Sequence, residues 1–170
     1  MPHLVGKNQK NNNDQIQIRE KAMIENHINK FLNSWKDGVI EIGKVFIDGG
    51  DYKGYAEEFL SKHYAFDTEE VLFKPTFTKE VIFRNTKDLA LSYFVKGDIQ
   101  EDNGFALKPW EKIELDEFTI LEEESYLVAM GTFKFKPANS EEVALVAFTF
   151  CFIGIAGSLK IKIHHSSPVL

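Results

Sequence analysis

The feature that most constrains this chain is a change of apolar period partway along it. Ile24, Ile28, Phe31, Trp35, Val39, Ile42 and Phe46 recur at helical spacing, which lays them along one stripe of a long helix. Beyond a polar loop at residues 97–109, the pattern changes to four extended stretches: 112–121, 126–136, 143–153 and 159–167. The turns between them are short and carry Glu122-Glu123-Glu124, Pro137-Ala138-Asn139-Ser140 and the segment 154–158. Successive strands with short turns form an antiparallel meander, and helices followed by strands in one small chain define an α+β domain. A sheet of this kind that curls around the long helix encloses a pocket.

The helical half divides further. Asp14 is expected to cap the long helix and Gly49-Gly50 to end it. Asp51 reads as the N-cap of a second helix that buries Ala56, Phe59, Leu60 and Tyr64. A short strand at 71–74 is stopped by Pro75, and 81–83 reads as another extended piece. Thr86 caps a third helix at 87–95, closed by Gly97. Residues 1–13 are polar and Asn-rich and are expected to form a flexible leader, with 14–170 as one domain.

Composition narrows the function. Fifteen Phe imply an aromatic-lined interior, and a net charge of −6 argues against nucleic acid as a partner. The single Cys151 cannot make an intramolecular disulfide. No apolar run is long enough for a membrane helix, and no apolar secretory segment is visible at the start, so a cytoplasmic location is expected. Residues 143–153 are apolar on both parities, with Val143, Leu145 and Ala147 on one and Val146, Phe148 and Phe150 on the other. A sheet buried on both faces needs a second cover, and a homodimer is expected to supply it.

The last strand carries the candidate chemistry. Strict alternation puts Leu159, Ile161 and Ile163 inward, and continues that apolar face into His165 and Ser167. Lys160, Lys162, His164 and Ser166 fall on the other face. From the pattern alone, polar residues ending a strand explain the segment as well as a site does.

The segment Ile163-His164-His165-Ser166-Ser167 resembles the His-His-His-Ser-Ser motif on the last strand of the iota-class carbonic anhydrases. Val71-Leu72-Phe73-Lys74-Pro75-Thr76 is similar to that family's first strand, and Ala90-Leu91-Ser92-Tyr93-Phe94 to its helix with a pocket tyrosine. The layout also resembles the association domain of calmodulin-dependent protein kinase II and the wider nuclear transport factor 2-like superfamily. The resemblance spans about residues 21–167. It implies a cone-like curved sheet packed on a long N-terminal helix and two shorter ones. It further implies a lyase that converts carbon dioxide and bicarbonate, with Thr76, Tyr93, His165 and Ser167 as catalytic residues. Thr76, Tyr93 and Ser167, with Phe73, Phe94 and Ile163, would line the substrate.

The residue types suit that reaction. Carbon dioxide is small and apolar, so an apolar pocket with few polar groups admits it. Hydroxyls both donate and accept, and can hold a water beside the carbon while donating to oxygens that gain charge. On this reading His165 is the proton acceptor or relay. Adjacent His164 and His165 face opposite sides and do not readily share an ion, and Ile163 stands where the family has histidine. Zinc is therefore the weaker expectation, and no cofactor is assigned.

Other readings stay open. The domain can be a noncatalytic oligomerisation scaffold. It can also bind or isomerise a small hydrophobic ligand, which requires a carboxylate inside the cone; Glu117, at an expected bulge, is the candidate. Arg84 can steer bicarbonate or be paired, and the 97–109 loop, with Phe105 and Trp110 beside it, can cover the pocket as a lid.

Overall fold

The computed structural model describes the backbone of residues 5–170 and the side-chain surroundings of residues 11–170. Its elements are α1 (Val5–Ile47), α2 (Tyr52–His63), β1 (Leu72–Lys74), α3 (Lys87–Val95), a 3-10 turn (Phe105–Leu107), β2 (Trp110–Glu122), β3 (Leu127–Pro137), β4 (Ala144–Ile155) and β5 (Ser158–Pro168). The expected leader is helical from Val5, so Asp14 lies inside α1 and does not cap it. The first four residues of that leader lie outside the described residues.

α1 buries Ile28, Leu32, Trp35, Val39 and Ile42, one residue per turn toward the sheet. The Asp51 carboxylate accepts from Gly54 N at 3.0 Å and starts α2. Thr86 Oγ1 accepts from Leu89 N at 3.3 Å and starts α3. The left-handed residue ending α3 is Lys96, at φ 58°, and not Gly97. Residues 81–83 join no strand, and Val81, Ile82 and Phe83 stay exposed.

The sheet runs β1-β5-β4-β3-β2. Strands β2 to β5 form the antiparallel meander, while β1 joins β5 in parallel and makes the sheet mixed. Three register shifts bend it, at Trp110/Lys112 and Leu115/Glu117 in β2 and opposite Cys151/Phe152 in β5. Phe133, Phe148, Phe150 and Phe152 line the inner face. The Trp35 indole stacks on Phe133 at 5.5 Å and meets Phe150 and Phe94 edgewise at 5.7 and 6.5 Å. The core therefore closes around one indole at the centre of the cone.

Candidate active site

The shift in β5 decides which polar residues enter the cone. Phe152 pairs with Ile161 and Cys151 with Ile163, so Lys162 is an extra residue opposite no partner. From there the pairing is regular: Phe150 with His164, Phe148 with Ser166. Those two phenylalanines point inward, so His164 and Ser166 do too, each 4 % exposed. His165 is exposed, Ser167 is half-buried, and Ile163 is 40 % exposed. This corrects the expectation that Ile163, His165 and Ser167 face the pocket. Alternation counted straight along the strand runs through a bulge, and one extra residue reverses every side chain beyond it. Nothing on β5 marks the change, because the every-other-residue spacing of Leu159, Ile161 and Ile163 continues without a break.

His164 sits in an aromatic cage. Phe73, its partner on β1, stacks on the imidazole at 4.6 Å, and Phe150 meets it edgewise at 4.4 Å. Tyr64 Oη lies 2.8 Å from Nδ1, and Ser166 Oγ lies 2.6 Å from Nε2. Burial among these rings holds the imidazole's proton affinity well below its ordinary value, with the charges of His165 and Lys74 adding to the effect. His164 is therefore neutral at physiological pH.

Thr76 and Tyr93 converge on the same end of the sheet. Thr76 is 9 % exposed and Tyr93 5 %. Phe77 N donates to Tyr93 Oη at 3.3 Å, which sets that hydroxyl beside the Thr76–Phe77 peptide. The phenol's proton is held more tightly than usual, chiefly by burial. One ammonium ties the two halves together: Lys74 Nζ donates to Ser166 O at 2.9 Å and to Thr76 O at 3.4 Å. Phe73 and Phe94, both 1 % exposed, stack at 6.1 Å and wall the site. Beyond Tyr93 lies a cavity of about 490 Å³ lined by Phe77, Phe105, Leu107 and Trp110, with Lys96 and Lys108 beside it. The 97–109 loop packs here, its Phe105 stacked on the Tyr93 ring at 5.4 Å.

Tyr64 reads from the sequence only as a core residue of α2. It falls just beyond that helix, in extended conformation, and bridges Ile161 of β5. One signal points to it: a buried tyrosine and a buried tryptophan each need a polar partner. Arg84 is fully buried and does not face substrate. Its guanidinium forms a two-pronged pair with Asp102, at 2.5 and 2.8 Å, and lies 5.9 Å from the centre of the Tyr93 ring. Ser92 Oγ donates to the same carboxylate at 2.6 Å. Asp102 is the one buried carboxylate among the described residues, and it is paired; Glu117 is exposed. An isomerase base inside the cone is thus missing among the described residues. Among those residues no three His, Cys, Asp or Glu are grouped to hold a metal ion, and both ring nitrogens of His164 face hydroxyls.

A long helix packed in a curved mixed sheet is the fold shared with nuclear transport factor 2-like proteins, and here hydroxyls and a neutral imidazole stand at its apolar core. A calcium/calmodulin dependent protein kinase II association domain from Xanthomonas campestris shares the fold, at TM-score 0.61 and 18 % identity over 84 % of this chain and 85 % of that one. The profile of the metal-independent carbonic anhydrase family matches residues 26–168, and the chain belongs to that family, the iota-class lyases that hydrate carbon dioxide to bicarbonate. The metal-independent carbonic anhydrase of Nostoc sp. (strain PCC 7120) is 30 % identical over 156 residues, covering 88 % of this chain and 76 % of that protein. The crystal structure of a cyanobacterial iota-carbonic anhydrase complexed with bicarbonate superposes at TM-score 0.80, with 30 % identity over 86 % of this chain and 92 % of that one.

Proposed function

We propose that this chain hydrates carbon dioxide reversibly by aligning it with one water between hydroxyl groups, without generating a strong base. The observation that carries the reading is the buried His164–Ser166 pair beside Thr76 and Tyr93 in a chain of this family. Phe73 and Phe94 supply apolar walls suited to an uncharged linear molecule. A neutral, deeply buried imidazole is a poor reservoir for a proton, so the proton moves another way. A hydroxyl accepts a hydrogen from the attacking water while it gives its own to an oxygen of carbon dioxide. The water oxygen bonds to carbon, one carbon–oxygen π bond opens, and neutral carbonic acid forms. Carbonic acid then loses its proton to solvent and leaves as bicarbonate, so the balance is one carbon dioxide and one water to bicarbonate and a proton. Ser166, Thr76 and Tyr93 are the candidate hydroxyls, and the Lys74 ammonium, bonded to the Ser166 and Thr76 carbonyls, sets a positive potential beside them.

Stopped-flow hydration with a chelator present tests this directly. The expected result is a rate indifferent to the chelator. Ser166→Ala and Tyr93→Phe should each lower kcat/KM by roughly tenfold to a hundredfold. His165→Ala and Ser167→Ala, on outward side chains, should stay within about twofold of the parent. A folded parent protein with no rate above buffer would overturn the reading.

A second proposal concerns assembly. The outer sheet face carries a row in register, Leu72–Ile163–Cys151–Val128–Leu121, crossing all five strands. Leu72 and Leu121 are 56 % and 57 % exposed, and Met130 beside the row is 58 % exposed. An apolar face of this extent suits a second copy of the chain.

A further inference from the structure

We infer that Tyr64 is a positioning residue that fixes the tautomer of His164 and so turns the Ser166 hydroxyl hydrogen toward substrate. The inference rests on the reading of His164 and Ser166 as groups of the reaction site.

Counting hydrogens gives the assignment. Trp35 Nε1 can only donate, and it donates to Tyr64 Oη at 3.2 Å. The phenol hydrogen then needs an acceptor of its own. Tyr64 is 1 % exposed, so solvent does not provide one. His164 Nδ1, at 2.8 Å, does. If Nδ1 carried a hydrogen instead, two N–H groups would converge on one phenol oxygen and the phenol hydrogen would be stranded. A buried donor left without a partner disfavours that arrangement by roughly tenfold to a hundredfold.

With Nδ1 as acceptor, the neutral ring carries its hydrogen on Nε2. That nitrogen donates to Ser166 Oγ at 2.6 Å. Ser166 has then accepted from the ring, and its own hydrogen points away from it, free for an oxygen of substrate. The opposite tautomer would draw the serine hydrogen back onto Nε2 and leave Ser166 only a lone pair to offer substrate. A reaction that builds negative charge on carboxylate oxygens needs the donor. The order Trp35, Tyr64, His164, Ser166 is thus a one-way chain of hydrogen bonds.

The phenol has little freedom to break that order. Tyr64 N donates to Leu60 O at 2.8 Å, Ala65 N to Ile161 O at 3.0 Å, and the ring stacks on Phe66 at 5.6 Å. The first residue after α2 is thereby clamped between the helix end and β5.

Long-range proton–nitrogen correlation spectra of histidine-labelled protein decide the point, with the His164 signals assigned by their loss in His164→Gln. The expected parent spectrum shows His164 neutral with its hydrogen on Nε2. A hydrogen on Nδ1 would overturn the inference. Tyr64→Phe keeps the ring and removes the donor. It should move His164 toward the Nδ1–H form and lower kcat by roughly tenfold, with KM changed less than about twofold. A Tyr64→Phe protein with parent kcat would overturn the role. Full activity in Ser166→Ala would sink the catalytic reading of the pair and Tyr64's role with it, while the tautomer itself would still be found on Nε2.

Discussion

His164 and His63 are two buried imidazoles held neutral for different ends. His63 Nδ1 donates to Phe59 O at 2.9 Å, so its Nε2 accepts from Ser34 Oγ at 3.0 Å. Burial pulls its pKa down to about 4, against a partial opposing effect from the Phe59 carbonyl. His164 is lowered well below its ordinary value, again by burial first. Both rings therefore bind fewer protons folded than unfolded, and stability must rise with pH across the interval between the two states. Their contribution is complete above about pH 6.5, the unfolded value. For His63 it is lost as pH falls through about 4. The His63 share is worth on the order of 3 kcal/mol. Urea unfolding at pH 7.5 and pH 5 should show a lower midpoint at pH 5, and His63→Asn should flatten that difference. Hydration, by contrast, should show no inflection near the ordinary histidine value, because His164 does not titrate there; an inflection at that pH lost in His164→Gln would contradict its assignment as neutral.

At the scale of elements, the bulges at Glu117 and Lys162 explain what the sequence disclosed and what it hid. Helix stripes, caps at Asp51 and Thr86, and the four-strand meander follow from local pattern, and each can be read from the residues that make it. Thr76, Tyr93, Phe73 and Phe94 come from the resemblance of their segments to the family, which needs no count of strand phase. The face of β5 cannot, because phase depends on whether Lys162 has a partner, and that is set by β4 across the ladder. Tyr64 stays hidden for a similar reason: its partner is 100 residues away. The β2 bulge leaves a clearer mark. Glycine stands at 131 because a Cβ there would collide with Glu117 O and lie 2.7 Å from Phe118 Cβ. Backbone on one side and a partly buried ring on the other leave no room to yield. Gly131→Ala should therefore cost about 3 kcal/mol, read as a fall in the urea midpoint at unchanged slope. A change under about 0.5 kcal/mol would mean that the strands separate more easily than their pairing implies.

For the molecule as a whole, the inner and outer faces of the sheet have separate tasks. The inner face is filled by its own helices, so its phenylalanines need no partner. The outer face has no cover in a single chain, although β4 carries half-buried Leu145, Ala147, Cys151 and Ile153 there. The five-residue row spans four strand gaps, roughly 20 Å at the usual spacing. Net charge of −6 does not oppose association strongly, since the row itself is uncharged. Light scattering on the eluting parent protein should give twice 19.5 kDa. Leu72 and Leu121 sit at the two ends of the row, away from the cone, so Leu72→Lys with Leu121→Lys should leave the fold intact and give one chain mass. The parent's Tm should rise with protein concentration while the variant's does not, because association stabilises only the folded state. A parent that elutes at the mass of one chain, with a Tm independent of concentration, would show that this face stays bare.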